Sequence, residues 1–236
     1  MPDARESAGT DAAYRLEVVL PCLDEAGALP SVLAALPRGA RALVVDNGSS
    51  DGSAHVARAH GARVVAEPQA GYGSACHRGL TSATAPLVGF ADADGTMDLA
   101  QLTAMAELIE SDAADLVIAR RRPEPGAMAW HLRVANAILA AAVSAVAGQR
   151  IHDLGPMRVA RRSDLLTLDL QDRRSGYPLE TLVAAARAGW RIVEVDTAYR
   201  ARIGHSKVTG TARGTAQAVW DMLRVLWGVR AARGRS

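Results

Sequence analysis

Two carboxylates separated by one residue follow an apolar stretch near the middle of the chain. Residues 87–91 are apolar enough to form a buried strand, and Asp92 and Asp94 come directly after it. Side chains two positions apart on an extended segment point the same way, so this pair can converge on one cation. Oxygen ligands of this kind suit Mg²⁺ or Mn²⁺, which such sites share with substrate phosphates. The alternative is an acidic strand-to-helix turn in which Asp98 caps the following helix.

Two earlier segments also place acidic and small polar residues after a predicted strand. Residues 16–20 are a short β-branched run followed by Pro21, Leu23 and Glu25, and residues 42–45 lead into a turn rich in Asp, Asn, Gly and Ser. In open α/β sheets, ligands bind at the edge formed by the carboxyl ends of the strands. Any one of these segments is explained as a turn. Three of them that meet in one crevice indicate a ligand site.

The elements that must position these residues alternate between strand and helix patterns. Strand patterns occur at residues 16–20, 42–45, 63–66, 87–91 and 115–119, and helical patterns lie between them at residues 29–36, 53–60, 71–84 and 99–109. This alternation predicts an α/β fold with a mostly parallel central sheet and helices on both faces.

The pattern loosens after residue 119. Three arginines precede a linker at residues 123–126, followed by an alanine-rich helix at 130–147, a short segment at 157–160, a helix at 179–186, a strand at 192–195 and a terminal amphipathic helix at 219–227. We interpret the chain as one domain over residues 15–236, with residues 1–14 as a loose tail. Residues 15–119 form a nucleotide-binding half, and residues 120–236 complete the site.

Composition narrows the possible functions. The 236 residues are 49% hydrophobic, which provides ample core, and a net charge of +2 gives no global field that favours nucleic acid. Cys22 and Cys76 give no disulfide framework, so a cytoplasmic location is expected. Residues 1–14 lack the apolar region of a signal peptide. The most apolar stretch, residues 134–148, falls short of the roughly 20 residues that span a bilayer, so no membrane crossing is expected.

Six segments taken together resemble the family 2 glycosyltransferases of the GT-A (Rossmann-like) fold, and within them the dolichyl-phosphate mannose synthase-like branch. The segments are residues 18–25 (VVLPCLDE), 44–53 (VVDNGSSDGS), 71–75 (GYGSA), 90–94 (FADAD), 153–158 (DLGPMR) and 202–207 (RIGHSK). They occur in the family's order over roughly residues 16–208. The resemblance implies a metal-dependent, inverting hexosyltransferase that uses a UDP- or GDP-linked sugar as donor.

The resemblance also implies roles for individual residues. Asp92 and Asp94 would carry Mg²⁺ or Mn²⁺ on the diphosphate of the donor. The donor and acceptor would be bound by residues of the matching segments: Pro21, Leu23, Glu25, Asp46, Gly48, Ser49, Gly71, Gly73, Ala93, Arg158, Arg202, Ser206 and Lys207. Among these, Arg202, Ser206 and Lys207 match a loop that closes over phosphates in the lipid-phosphate branch. Lys207 is the single lysine of the chain.

Three positions depart from the family pattern. Tyr72 stands where the family usually has a lysine, and Thr96 lies near the position of a glutamine that is often a third metal ligand. The segment at residues 155–158 replaces the usual Gly-Phe-Arg. The change at Tyr72 concerns a phosphate contact, the change at Thr96 concerns a third metal ligand, and the change at residues 155–158 concerns the identity of the acceptor.

The chemistry depends on the acceptor. A polyprenyl phosphate is already a nucleophile at neutral pH, because the second pKa of a phosphate monoester is near 6, and it needs only positioning by cations. A hydroxyl acceptor, on a soluble metabolite or glycan, needs a carboxylate base, for which Glu180 and Asp153 are the candidates. Glu180 is equally explained as a first-turn helix carboxylate. A non-catalytic domain that binds nucleotide sugars is a third possibility.

Two further patterns have competing interpretations. Residues 71–76 resemble a dinucleotide-binding fingerprint trailed by Asp92, but residues 67–70 separate its first glycine from the strand. The terminal helix carries Trp220 and Trp227 near several arginines. We expect it to pack on its own domain or on a second subunit in a homodimer, and the alternative is contact with an anionic membrane at the inner face of the cell.

Overall fold

The computed structural model describes residues 14–202, so residues 1–13 of the predicted tail and the predicted terminal helix lie outside the described residues. The strands are β1 (Leu16–Cys22), β2 (Ala40–Asp46), β3 (Arg63–Ala66), β4 (Leu87–Phe90), β5 (Leu116–Pro123), β6 (Arg158–Arg161) and β7 (Ile192–Tyr199). The helices are α1 (Leu29–Ala34), α2 (Ser53–Ala59), α3 (Tyr72–Ser82), α4 (Gln101–Glu110), α5 (Trp130–Ala147), α6 (Arg162–Thr167) and α7 (Tyr177–Arg187).

One sheet organises this part of the chain, with strand order β3-β2-β1-β4-β6-β5-β7. Strand β1 pairs in parallel with β2 on one side and β4 on the other. Strand β6 is antiparallel to both β4 and β5, while β5 and β7 are parallel. The predicted mostly parallel sheet in a single domain is therefore confirmed.

Alternating side chains of β1 reach two hydrophobic clusters on opposite faces of the sheet. Val18 and Leu20 belong to the cluster that includes α1, α2 and α4, and Val19 belongs to the cluster that includes α3, α5 and α7. This alternation follows from the two-residue period of a strand. The predicted placement of helices on both faces is confirmed.

Strand β5 is longer than its sequence pattern indicates. The prediction ended the strand at residue 119 and assigned the next three arginines to the approach of a linker, but Arg120, Arg121 and Arg122 continue the strand as far as Pro123. The extension pairs in parallel with residues 196–199 of β7. A polar stretch becomes a strand here because a distant partner supplies its hydrogen bonds.

Close contact between α3 and β1 depends on Gly79. A Cβ atom at this position would lie 2.2 Å from Cγ1 of Val19, inside the core. We expect Gly79→Ala to lower the free energy of unfolding by about 1–3 kcal/mol, because overpacking forces shifts in the surrounding structure. Urea unfolding measures the change. Gly27→Ala is the matched control, since nothing lies within 4 Å of its added Cβ, and an equal loss in both variants would contradict this account.

Candidate active site

A cleft of about 510 Å³ lies where the carboxyl ends of β1, β2 and β4 meet. Strands β1 and β2 continue in sequence toward one edge of the sheet, while β4 joins β1 on its other side. This reversal of strand order is where open α/β sheets bind ligands. Helix α5 forms the opposite wall, through residues that include Leu132, Ala135 and Leu139.

Asp92 and Asp94 both line this cleft, as does Ala93 between them. Asp94 Oδ1 accepts hydrogen bonds from the backbone N–H of Thr96 at 3.0 Å and from its hydroxyl at 2.8 Å. Asp94 Oδ2 accepts a hydrogen bond from Nε of Arg202 at 2.7 Å. The hydroxyl of Tyr72 donates to Asp92 Oδ1 at 3.2 Å. The two carboxylates therefore lie side by side at the cleft and are oriented by their neighbours.

The alternative of a simple acidic turn accounts for Asp98 and not for the pair. Asp98 Oδ1 accepts the backbone N–H of Ala100 at 3.2 Å, ahead of helix α4. Asp98 does not line the cleft, whereas Asp92 and Asp94 do. The turn and the candidate ligand pair are separate features of the same segment.

The electrostatics of the pair suit a cation. Burial and, second to it, the neighbouring charge of Asp94 raise the pKa of Asp92 to about 6, although Arg202 opposes both effects. A divalent ion relieves this repulsion, and carboxylate oxygens are ligands that Mg²⁺ and Mn²⁺ accept. Within residues 14–202, no group of three or more His, Cys, Asp and Glu side chains is placed to hold a metal ion. The remaining ligands would be oxygens of a diphosphate or of water.

The loop after β1 forms another part of the cleft and is fixed by the loop after β2. Pro21, Leu23 and Glu25 line the cleft. The hydroxyl of Ser49 accepts the backbone N–H of Asp24 at 3.0 Å, and the hydroxyl of Ser53 accepts that of Glu25 at 2.8 Å. The β2 loop therefore holds the β1 loop in place.

The predicted binding residues on the β2 loop lie away from the cleft lining. Asp46 Oδ1 accepts the backbone N–H of Ser49 at 3.2 Å, and neither residue lines the cleft, nor does Gly48. Asn47, which the sequence analysis did not single out, does line it. Asn47 Oδ1 accepts the backbone N–H of Gly71 at 2.8 Å. The feature of the sequence that could have identified Asn47 is its amide side chain in the turn that follows a predicted strand.

The glycines at the start of α3 serve close packing. The backbone N–H of Gly73 donates to the carbonyl of Arg174 at 2.9 Å, and that of Ser74 donates to Arg173 at 3.0 Å. A Cβ at Gly73 would lie 2.6 Å from the carbonyl oxygen of Asp172. Because chain carbonyls already use these N–H groups, this helix start lacks the free donors that a dinucleotide fingerprint presents to a pyrophosphate. Gly71 lines the cleft, and Gly73 does not.

Asp153, a candidate base, forms a buried ion pair with Arg121. It is 3% exposed, and Oδ1 lies 2.6 Å from Nη2 of Arg121. Its Oδ2 accepts both the backbone N–H of Arg121 at 2.7 Å and Nε at 2.9 Å. Burial alone would raise the pKa of Asp153, but the hydrogen bonds and charge of Arg121 outweigh burial and lower it. An acid held this firmly is a poor proton acceptor, so the geometry argues against Asp153 as the base.

Arg121 itself lines the cleft, and the sequence analysis did not single it out as a site residue. Its guanidinium lies over the ring of Tyr199 at 5.6 Å and donates to Asn136 Oδ1 at 3.0 Å. It belongs to the part of β5 that the prediction assigned to the approach of a linker. Arg121 is therefore a residue of the cleft wall whose guanidinium is held in place by Asp153 and Asn136.

Arg158 was predicted to bind substrate, but the structure places it inside the protein. It is 3% exposed and does not line the cleft. Its guanidinium donates to the carbonyls of Pro178 at 2.8 Å and Leu154 at 3.0 Å. Those carbonyls already accept hydrogen bonds from the N–H groups that a phosphate would need. Arg158 instead joins the segment before β6 to the start of α7.

Glu180, the other candidate base, also lies off the cleft lining. Its carboxylate accepts the backbone N–H groups of Gln171 at 3.0 Å and Asp172 at 2.8 Å. It therefore fixes the loop that packs against the start of α3. Of the remaining predicted binding residues, Arg202 lines the cleft, while Ser206 and Lys207 lie outside the described residues.

This placement gives a prediction for Glu180→Gln. An amide can replace only part of the acceptor capacity of the carboxylate, so we expect a loss of about 1–2 kcal/mol in the free energy of unfolding. Transfer kinetics at a temperature where the variant is folded should change less than about threefold, because the side chain does not reach the cleft. Glu107→Gln, an exposed helix carboxylate of α4, is the control for stability. A hundredfold lower kcat with unchanged stability would restore Glu180 as a base.

Comparison with known proteins identifies related sequences. A family model described as glycosyl transferase family 2 matches residues 17–165. An uncharacterized glycosyltransferase of Mycobacterium tuberculosis is 51% identical over 211 residues, which are 89% of this chain and 96% of that protein. The dolichyl-phosphate hexose transferase of Haloferax volcanii is 32% identical over 205 residues, which are 85% of this chain and 90% of that protein.

Solved structures share the fold. Glucosyl-3-phosphoglycerate synthase from Mycobacterium tuberculosis, crystallised with Mn²⁺, uridine diphosphate and glucosyl-3-phosphoglycerate, gives a TM-score of 0.73 at 22% identity, over 92% of this chain and 80% of that one. The same enzyme with Mg²⁺ and uridine diphosphate gives 0.73 at 23% identity, over 92% and 79%. The predicted GT-A architecture is confirmed by this likeness.

Proposed function

This chain belongs to glycosyl transferase family 2, and we propose that within the family it transfers a hexose from a nucleotide-diphosphate sugar to a polyprenyl phosphate. A phosphate oxygen of the acceptor attacks the anomeric carbon, with inversion. The bond from that carbon to the donor diphosphate breaks, and its electron pair leaves with the diphosphate. No proton has to be removed from a phosphate monoester dianion.

One observation carries the choice of acceptor. Both carboxylates predicted as a base for a hydroxyl acceptor are engaged elsewhere: Asp153 pairs with Arg121, and Glu180 accepts backbone N–H groups. A cleft without either base suits an acceptor that arrives already ionised.

The donor half of the site supports a metal-dependent reaction. Asp92 and Asp94 would hold Mg²⁺ or Mn²⁺, which when bound neutralises charge on the leaving diphosphate. Arg202 pairs with Asp94 and also lines the cleft. Tyr72 donates to Asp92 and thereby orients that carboxylate.

The acceptor half and a relative support a lipid. The wall formed by α5 includes apolar residues, among them Leu132, Ala135 and Leu139. The similar Haloferax volcanii protein is named as a dolichyl-phosphate hexose transferase. The proposed enzyme works in the cytoplasm, at the inner face of the membrane where its acceptor resides.

A hydroxyl acceptor is the second candidate. The structurally similar synthase was crystallised with glucosyl-3-phosphoglycerate, a glucosylated small molecule that carries a phosphate. In the present chain His131 lines the cleft and is the group that would take a hydroxyl proton. His131→Gln should then abolish transfer, whereas it should leave transfer to a phosphate largely intact.

The test compares acceptors that differ only in the phosphate. The protein is supplied with UDP- and GDP-linked hexoses, Mn²⁺, and either a polyprenyl phosphate or the matching polyprenol, with 3-phosphoglycerate as a third arm. We expect a hexosyl-phosphate lipid from the phosphorylated acceptor alone, detected by mass spectrometry. Product from the polyprenol or from 3-phosphoglycerate, and none from the lipid phosphate, would overturn the proposal.

A further inference from the structure

The outer face of helix α5 is apolar. Exposed residues recur at helical spacing to form a stripe, here called the α5 stripe, whose members are Trp130, Val134, Ala137, Ile138, Ala141 and Ala145. Trp130 is 76% exposed, Ile138 65% and Val134 50%. A solvated helix normally presents polar residues on this side, so the stripe indicates a surface that is covered when the protein works.

The inner face of the same helix is fixed to the domain. Leu139, Ala140 and Val143 are buried, and α5 packs against α7. By length and composition alone, the 18 residues of α5 are long and apolar enough to cross a membrane, and 17% of them are buried. A helix that is buried along one face and apolar along the other is suited to lie in the plane of an interface.

The charged residues within and just after α5 in the sequence are arginines. Arg133 lies on the exposed side of the helix and Arg150 follows its end. No aspartate or glutamate occurs from residue 125 to residue 152. Basic residues beside an exposed apolar face are attracted to anionic lipid headgroups.

The same helix also forms a wall of the cleft. Leu132, Ala135 and Leu139 face the cleft, and the α5 stripe lies on the outer side of the helix. A surface that covers the stripe therefore comes within one helix diameter of the site, roughly 10 Å. This continuity favours a covering that also delivers the acceptor.

We propose that the α5 stripe docks on an anionic lipid bilayer, with the helix lying in the plane of the interface. The cleft then lies within one helix diameter, roughly 10 Å, of the lipid surface. This inference rests on the proposed function, because a polyprenyl phosphate resides in a bilayer. The observations that support it are the exposure of the α5 stripe and the basic residues near the helix.

Vesicle flotation tests the docking without donor or acceptor. The wild-type full chain is mixed with vesicles of phosphatidylglycerol and phosphatidylcholine, or of phosphatidylcholine alone. Ile138→Glu is the test variant, and Leu166→Glu is the matched control, because Leu166 is an exposed leucine of α6 at 40% exposure. We expect the wild type and the control to float with anionic vesicles, and Ile138→Glu to bind at least tenfold more weakly.

Two outcomes would overturn the docking proposal. One is equal binding by the wild type and Ile138→Glu, which would assign lipid contact to another part of the chain. The other is no vesicle binding by the wild type, including the case in which light scattering shows a dimer that Ile138→Glu converts to a monomer. That result would make the stripe a contact between copies.

A second assay separates this proposal from the proposed function. Transfer to a short, water-soluble prenyl phosphate requires the site and not the bilayer, so Ile138→Glu should retain it. If the wild type transfers sugar to that acceptor but does not bind vesicles, the docking proposal is wrong and the proposed function is supported. Vesicle binding without transfer to any lipid phosphate would remove the function and leave the surface.

Discussion

Replacing Asp92 or Asp94 by asparagine is expected to reduce kcat/KM for sugar transfer by about 10³-fold or more, equivalent to about 4 kcal/mol of transition-state stabilisation. Both side chains line the cleft and form the acidic pair placed to receive a cation. An amide has no negative charge with which to hold that cation against a diphosphate. Initial rates across a range of Mn²⁺ concentrations measure the effect.

The control for this pair comes from the same segment. Asp98→Asn alters a carboxylate that holds the turn before α4 and does not line the cleft. We expect its kcat/KM to stay within about threefold of wild type. Wild-type rates and an unchanged dependence on Mn²⁺ in Asp92→Asn or Asp94→Asn would contradict the assignment of the pair.

The second large effect is on stability. Asp153→Ala is expected to lower the free energy of unfolding by about 3–5 kcal/mol, because it leaves the guanidinium of Arg121 buried without its carboxylate partner. Asp196→Ala breaks the exposed pair with Arg122 and should cost less than about 1 kcal/mol. Chemical denaturation of the two variants measures both values, and similar losses would show that the burial of Asp153 does not matter.

The dependence of this effect on pH has a defined sign. The pKa of Asp153 in the folded protein is lowered from its usual value of 3.8. The stability that it contributes is therefore complete above about pH 4 and declines as the pH falls through the folded pKa. The stability difference between wild type and Asp153→Ala should shrink below about pH 4. A difference that grows on acidification would indicate another cause.

The sequence pointed to Asp92, Asp94 and the β1 loop because the evidence there is local. The apolar run before Asp92 and the spacing to Asp94 lie within one short segment, and the sheet brings its end next to that of β1. The turn after β2 was located correctly, but Asn47 lines the cleft, and the predicted Asp46, Gly48 and Ser49 do not. Family resemblance added the GT-A fold, which the structure and the matched family support. The roles of individual residues stay predictions.

The acceptor side was less predictable because its geometry depends on long-range packing. Arg121 reaches the cleft only because β7 extends β5. Glu180 turns to the backbone of residues 171–172, and Arg158 turns to the carbonyls of Leu154 and Pro178. The exposure of α5 was also hidden, since an apolar pattern by itself indicates burial. Side-chain direction at these positions follows from tertiary contacts that the sequence does not display.

Calorimetric titration of the wild-type protein with uridine diphosphate and with guanosine diphosphate, each with and without Mn²⁺, measures whether the acidic pair holds a metal against a diphosphate. If Asp92 and Asp94 form a site for a metal that bridges to a diphosphate, one of the two nucleotides should bind at least about tenfold more tightly with Mn²⁺, a gain of about 1.4 kcal/mol. The same affinity with and without the metal for both nucleotides would contradict the account.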